Sequence, residues 1–170
     1  AKYQPVVAYA YTYASGDRNL AANTYTNGVQ NSVEKQSAWD PMYENQKFGD
    51  IANAQFMQTN AHILGLIGSM KPADDIKLIA ETYFFWWDKK FADNQALTTL
   101  RGDTVYMRDK KFAGTELDIK AIYDYTEDVQ FCLLTGLFFP GKSFSKGGPA
   151  PITKSNNIAS EVVGSMKVTF

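Results

Sequence analysis

Acidic side chains alternate with apolar ones along two segments of the chain, and they are the groups best placed for acid–base chemistry. Glu116 and Asp118 lie two positions apart, and Glu81 belongs to an earlier segment with the same alternation. Paired carboxylates can act as acid and base in glycoside hydrolysis. Lysines are interleaved with them, however, in the pairs Asp118–Lys120 and Lys77–Glu81. Such ladders of opposite charge are typical of a rigid, water-facing wall, so we expect no enzyme activity.

The other reactive side chains form no catalytic set. The chain has one histidine, His62, and one cysteine, Cys132. We expect His62 to line a wet interior beside Gln58 and Asn60, and Cys132 to be a small filler residue on the same face. The sequence contains no Ser-His-Asp set, phosphate-binding glycine loop or Cys/His cluster. It therefore predicts no metal and no cofactor.

Composition narrows the class of protein further. The 170 residues include 17 basic and 18 acidic side chains, so no net charge points to nucleic acid. Aromatic residues make up 14% of the chain, and Tyr and Trp suit a membrane interface, where one end of the ring is wet. Uncharged runs fall short of the roughly 20 apolar residues of a spanning helix. A β-barrel remains possible, because each of its strands needs only about 10 alternating residues.

Alternation of apolar and polar residues recurs along the chain and predicts an all-β, antiparallel, up-and-down fold. A further short strand is expected around Thr104–Met107. The six long strands are expected at about 5–14, 58–70, 76–87, 116–125, 129–139 and 159–170.

The predicted connections alternate between long and short. The long ones cover about 16–53, 88–114 and 140–158, and the short ones are turns at 71–75 and 126–128. Membrane barrels show this sorting, because long extracellular loops and short periplasmic turns lie at opposite ends of the strands. The sequence therefore predicts a transmembrane barrel domain over 1–170, or the C-terminal segment of a larger barrel, since single-chain barrels have at least 8 strands.

Charged residues of the strands fall on one face, which in such a barrel would line a water-filled lumen. Aromatic residues gather at strand ends and are expected to contact the membrane interface. The expected lumen residues are Lys77, Glu81, Asp118, Lys120, Asp124, Glu161 and Lys167. The expected interface aromatics are Tyr83, Phe84, Trp86, Tyr123, Tyr125 and Phe139. Alternation reports two faces without saying which is inside, so a soluble β-protein stays an alternative.

The last predicted strand, 159–170, ends in Phe170. An alternating final strand that closes on phenylalanine is similar to the signal by which bacterial barrel proteins are recognised by their assembly machinery. We therefore expect the barrel assembly machinery and the lipid bilayer as partners.

Several short pieces follow one another along the chain: Tyr-Ala-Ser-Gly-Asp at 13–17, Trp-Asp-Pro-Met-Tyr at 39–43, Asn-Ala-His at 60–62, Lys-Pro at 71–72, Gly-Thr-Glu-Leu-Asp at 114–118 and Phe-Phe-Pro-Gly at 138–141. In this order and spacing they resemble the C-terminal portion of the alginate export family of outer-membrane barrels. The resemblance implies a large barrel in the Gram-negative outer membrane that passes a polysaccharide or small solutes. One feature departs from the export of an anionic polymer, which would favour a basic lumen. The charged face carries three lysines against five acids, the five being the four in the expected lumen set and Glu116.

These expectations converge on an outer-membrane channel that passes a hydrophilic solute or polysaccharide passively, with the charged face acting along the path. Two alternatives stay open. One is a non-conducting barrel that sheathes or anchors a partner protein, and the other is a soluble β-barrel binding protein. The missing strands would come from the same chain, from other copies or from other subunits.

Overall fold

The computed structural model describes residues 3–16, 25–26, 29–30, 39, 48–56, 59–93, 95–98, 104–145 and 157–170. This part of the chain is all-β except for one short helix, as the alternation predicts. Its elements are β1 (Val6–Ala14), β2 (Tyr25–Thr26), β3 (Val29–Gln30), α1 (Asp50–Gln55), β4 (Ala61–Ala73), β5 (Ile76–Trp87), β6 (Ala96–Thr98), β7 (Thr104–Met107), β8 (Phe112–Asp124), β9 (Val129–Pro140), β10 (Phe144–Ser145) and β11 (Ala159–Val168).

The six long strands form one antiparallel sheet in the order β1-β4-β5-β8-β9-β11. Each strand pairs with the next long strand along the chain, which confirms the predicted up-and-down arrangement. Residues 74–75 and 125–128 form short connections at one end of the sheet, here called the turn end. The long connections leave from the opposite end, here called the loop end. Among the described residues the sheet is open, with β1 and β11 as its two edges, so it is consistent with part of a barrel.

β4 and β8 differ most in extent from the prediction. β4 continues through Pro72, which the sequence placed in a turn, and its register with β5 shifts between Met70 and Ala73. Proline lacks an N–H donor and is accommodated at such irregularities. β8 begins at Phe112, and its register with β5 shifts between Phe85 and Trp86. The expected start of β4 at Gln58 lies outside the described residues.

The connections contain structure that alternation could not reveal. Most of the predicted loop 16–53 lies outside the described residues, but α1 begins within it and runs past its end. β7 confirms the short strand expected at 104–107, and it pairs with β6 and β10 in a small second sheet. Because α1 has six residues, it is too short to show a helical period. Among the described residues, no helix has the length and apolar character that crossing a membrane requires.

The apolar core lies at the loop end of the face on which α1 sits, here called the inner face. Strand residues Ile63, Phe85 and Phe138 form its floor. The covering residues come from α1 and from the long connections: Ile51, Ala52, Phe91, Met107 and Phe144. The described parts of the three long connections therefore fold back over the sheet, and their apolar residues are buried against it.

A carboxylate at the loop end ties three strands together. Asp88 follows β5 directly, and its Oδ2 accepts hydrogen bonds from the Gly16 N–H at 2.9 Å and the Tyr13 hydroxyl at 3.2 Å. Its Oδ1 lies 3.2 Å from the Lys89 ammonium and 3.8 Å from His62 Nε2. Burial alone would raise the pKa of Asp88, but the hydrogen bond from Gly16 and the contact with Lys89 outweigh it. The net effect is a pKa below the usual aspartate value.

We expect Asp88→Asn to destabilise the fold by about 1–3 kcal/mol at neutral pH, because several donors lose a charged acceptor. The lowered pKa of Asp88 means that its contribution is present above about pH 4, the range of an unfolded aspartate, and is lost as the pH falls through the folded pKa. Chemical denaturation at neutral pH and at successively lower pH measures both effects. Asp109→Asn is the control, since Asp109 makes an exposed pair with Lys90. Equal stability and an unchanged acid profile in Asp88→Asn would contradict the assignment.

Candidate functional site

All the charged residues expected to line a lumen lie on the inner face of the sheet. The register shows it directly, because residues paired across antiparallel strands point to the same side. The exposed members, Lys77, Asp124 and Lys167, lie toward the turn end, and Glu81, Lys120 and Glu161 are half-buried. Asp118 is fully buried. The structure therefore brings all seven residues onto one surface, with the buried charge nearest to α1.

Most of the expected interface aromatics lie on the opposite face, here called the outer face. Phe84 and Trp86 stack there at the loop end, with ring centroids 6.1 Å apart, and Phe139 is exposed nearby. Tyr123 and Tyr125 form an edge contact at the turn end, Tyr125 lying just beyond β8. The outer face thus has aromatic residues at both ends.

Tyr83 does not fit the interface expectation. It is 5% exposed and lies on the inner face, in the same register row as Glu116. Its ring packs edge-on against Phe48, and its hydroxyl donates to Glu81 Oε2 at 3.3 Å. The reason is the pleat: in the aromatic run 83–87, alternate rings point to opposite faces, so Tyr83 and Phe84 cannot share a surface.

His62 also differs from expectation. It pairs with Tyr13 and Trp86, which are outer-face residues, so it does not face the inner side. Its Nδ1 lies 2.7 Å from the Tyr11 hydroxyl, and the Tyr13 ring is 4.8 Å away. The histidine is therefore part of the aromatic rim at the loop end. Cys132 does lie on the inner face, opposite Ile122.

A row of carboxylates crosses the inner face at one level. Glu81 of β5 pairs with Asp118 of β8, Asp118 pairs with Gly136 of β9, and Gly136 pairs with Glu161 of β11. Toward β1 the row continues through Ile67 and an alanine. In the described residues this row therefore contains three acids and no base.

Gly136 brings two of these acids together. A Cβ added at Gly136 would lie 2.8 Å from Asp118 Oδ1 and 3.3 Å from Glu161 Oε1. The missing side chain therefore leaves a niche into which both carboxylates lean. Any larger residue at this position would push the two acids out of the row.

Glu116, one row nearer to the loop end, fixes α1 to the sheet. Its Oε1 accepts a hydrogen bond from the Ile51 N–H at 2.7 Å, and its Oε2 accepts one from the Ala52 N–H at 2.8 Å. The first N–H groups of a helix have no partner within the helix, so a carboxylate aimed at them is well satisfied. Glu116 is itself fully buried, and both of its oxygens are engaged.

Lys120 makes the second polar link to α1. Its ammonium lies 3.2 Å from Asp50 Oδ2, in the first turn of α1, and 3.1 Å from Glu81 Oε2. One base is thus shared between two acids. Five acids lie on this part of the inner face and are here called the acidic cluster: Asp50, Glu81, Glu116, Asp118 and Glu161. Lys120 forms ion pairs with two of them, Asp50 and Glu81.

The described residues form an apolar cavity and an open cleft, and neither of them is lined by the row of carboxylates. Beside α1, an apolar cavity of about 20 Å³ lined by Ala52, Phe85 and Phe138 has room for about one water. At the turn end, Asp124, Glu127, Asp128 and Lys167 border an open cleft of about 350 Å³. Among the described residues, no group of three potential ligands is arranged to hold a metal ion.

Sequence reasoning identified the charged face but missed the parts contributed by α1. Asp50 lay in a predicted loop, and Glu116 was assigned to the charged face without a partner. The available signal is Gly49-Asp50 followed by Ile51-Ala52, because glycine is tolerated at a helix N-cap and an acid favours the first turn. Nothing local, however, indicates that the cap is supplied by a strand 64 residues away.

We expect Gly49→Ala to release α1 from the sheet. Gly49 has φ 75° and ψ 144°, a conformation open essentially to glycine, and an added Cβ would lie 2.5 Å from Glu116 Oε2. Hydrogen exchange of the peptide containing Ile51 and Ala52 should become faster, with a local cost of about 1–3 kcal/mol. Gly164→Ala is the matched control, because a Cβ there meets nothing within 4 Å. Unchanged protection in Gly49→Ala would refute this account of α1 docking.

Comparison with known proteins agrees with the observed fold. The family model described as "Alginate export" matches residues 1–157, which is most of the chain. No curated protein matches the chain. The match spans the strands that carry Glu81, Asp118 and Lys120, and the fold has the antiparallel strands that the family resemblance implies. The chain belongs to the alginate export family.

Proposed function

We propose that this chain forms part of the wall of an outer-membrane channel through which a hydrophilic solute passes without covalent chemistry. The family match supports an export channel as the general role. The observation that carries the proposal is the complete separation of charge between the two faces of the sheet. The inner face then lines the path, and the outer face contacts lipid.

The outer face has the composition that lipid contact requires. Within the paired register of the six strands, the described outer-face residues include no Lys, Arg, Asp or Glu. Many are large apolar side chains left open to solvent, among them Leu133, Val162 and Met166, which are 52%, 70% and 62% exposed. An apolar surface of this extent on a soluble monomer would be an association hazard. A bilayer accounts for it.

Aromatic residues lie at both ends of this apolar surface, and the distance between them can be compared with the thickness of the apolar part of a membrane. Phe84 at the loop end and Ile76, which pairs with Tyr123 at the turn end, are eight positions apart on β5. At 3.3 Å per residue the span is roughly 26 Å along the strand. A strand tilt of about 40° reduces it to about 20 Å, comparable to the apolar band of about 25 Å in outer-membrane barrels.

On the inner side, α1 and the apolar core occupy the loop end. If the inner face lines a lumen, α1 and the connections that cover the core occupy part of it and narrow the path there. The charged row that contains Glu81 and Asp118 lies just below, toward the turn end. A solute would therefore meet a narrowed section and a charged section in sequence.

The remaining partners follow from the edges of the sheet. β1 and β11 carry backbone groups that need further strands, supplied by the same chain or by other copies, before a barrel closes. The alternating β11 and the exposed ring of Phe170 support recognition by the barrel assembly machinery. From the family match and the antiparallel strands, we propose that the protein lies in the outer membrane of a Gram-negative bacterium.

Two adjacent valines of β11 test the assignment of the faces. Val162 pairs with Thr135 on the outer face, and Val163 pairs with Leu134 on the inner face. We expect Val162→Arg to destabilise the protein in lipid by about 2–4 kcal/mol, the cost of arginine near the bilayer midplane. Val163→Arg should be tolerated, because its side chain reaches the wet face. Denaturant titration in lipid vesicles compares the two variants, and a larger loss for Val163→Arg would favour the soluble alternative.

Electrical recording tests passage itself. The full chain reconstituted in planar bilayers is expected to show stepwise, ohmic openings in KCl, because a water-filled pore lined by charged residues conducts small ions. The non-conducting scaffold predicts no such steps, although the protein would insert. Heat-denatured protein serves as the control for detergent artefacts. Insertion without conductance would refute the channel and leave the scaffold.

A further inference from the structure

We propose that a group of basic residues at the loop end binds the phosphate groups of anionic lipids in the adjoining membrane leaflet. The inference rests on the proposed membrane location of the chain and adds the charge class of the lipid. The group, here called the basic rim, belongs to the second and third long connections. It consists of Arg108, Lys110, Lys111 and Lys142.

Backbone hydrogen bonds bring the two connections of the basic rim together. The Arg108 N–H donates to the Ser143 carbonyl at 2.7 Å. The Ser143 N–H in turn donates to the Phe112 carbonyl at 3.1 Å, at the start of β8. Lys142 therefore lies beside the segment that contains Lys111. The basic rim is one patch, although its members come from two separate parts of the sequence.

The neighbouring acids leave the basic rim with a surplus of positive charge. Asp109 lies within the same segment but pairs with Lys90 at 3.1 Å, and Asp88 pairs with Lys89 at 3.2 Å. Asp93 accepts a hydrogen bond from the Asp109 N–H at 2.8 Å, and its one charge cannot balance four bases. In the part of the chain that the structure describes, no ion pair engages a member of the rim. Its three lysines are exposed, so they are free to bind an anion.

The basic rim begins where the apolar outer face ends. Phe112, next to Lys111, is an outer-face residue, because it pairs with Trp86 and the two ring centroids are 5.8 Å apart. Phe139 is also on the outer face, and Lys142 follows three positions after it. Positive side chains thus continue directly from the aromatic residues of two adjacent strands. In a membrane this is the level of the headgroups, which lysine can reach while its stem covers apolar surface.

The turn end of the sheet carries the opposite charge. Its two short connections contain Asp74, Asp75, Glu127 and Asp128, close to the aromatic residues at that end of the outer face. Each basic residue close to an anionic membrane surface favours binding by about five-fold, and acids oppose it. Charges that served solubility alone would not need to be sorted between the two ends. The sorting therefore favours anionic lipid at the loop end.

Quenching of tryptophan fluorescence by brominated lipids tests the inference on the full chain in vesicles. The chain has three tryptophans, and all of them report the loop end. Trp86 and Trp87 end β5 there, and the Trp39 N–H donates to the Ser15 carbonyl, just beyond β1, at 3.0 Å. The vesicles hold equal amounts of anionic phosphatidylglycerol and neutral phosphatidylcholine, and only one of the two lipids is brominated. We expect stronger quenching when phosphatidylglycerol carries the bromine.

Variants assign the preference to the basic rim. The relative affinity for phosphatidylglycerol should be about five-fold, and it should fall by about two-fold or more in Lys111→Gln and in Lys142→Gln. Two exposed positions guard against a folding defect in either variant. Lys71→Gln is the matched control, because it removes the same charge from an exposed lysine of β4 at the turn end. Its relative affinity should equal that of the unsubstituted protein.

The outcomes separate this inference from the proposed function. A preference for phosphatidylglycerol that falls in both rim variants, and not in Lys71→Gln, supports the inference. Equal quenching by the two lipids, or a preference unchanged in both rim variants, overturns it and leaves the membrane location standing. Loss of the preference when inorganic phosphate replaces chloride at constant ionic strength identifies a site for free anions and also overturns it. Absence of quenching by either lipid overturns the membrane location and, with it, the proposed channel.

Discussion

The strict alternation of side chains across the pleat is the constraint on which the rest of this structure depends. Neighbouring strands in register must present paired residues to the same side, so one charge placed on β5 fixes the side of its partners on β8, β9 and β11. Glu81, Asp118 and Glu161 form a row for this reason. A slip of one residue in any strand would carry its charges to the outer face. The separation of charge between the two faces therefore depends directly on the register of the strands.

The polar link between Glu116 and α1 follows from the same constraint. A carboxylate on the inner face needs donors, and the first N–H groups of a short helix need an acceptor. The Glu116 carboxylate therefore accepts hydrogen bonds from the first N–H groups of α1, and the apolar residues of α1 cover Phe85 and Phe138. The helix is too short to be stable through its own hydrogen bonds. The helix is stable because Glu116 of β8 accepts hydrogen bonds from its first N–H groups and because the sheet buries its apolar residues.

The sequence predicted the parts of the fold that depend on local alternation. β5 and β9 were placed within one residue of their observed bounds, since clear turn signals flank them. The prediction that His62 faces the interior was wrong, because the alternating part of β4 carries no charged residue that would identify its inner face. α1, β6 and β10 were missed because they depend on tertiary contacts, whereas β7 was predicted as a short strand. The seven charged residues were predicted as a set, but their unequal burial depends on α1 and on Gly136, which no local pattern reveals.

The inner face of the sheet is covered toward the loop end and open toward the turn end. Toward the loop end the connections fold inward, and aromatic residues such as Trp87 and Phe138 pack against them to exclude water. Toward the turn end nothing described covers the sheet, and Lys77 and Asp124 stay exposed. The acidic row lies at the boundary, where Asp118 is buried by the covered half while Glu81 and Glu161 retain contact with the open half. A charge at such a boundary is held by packing on one side and is open to water on the other.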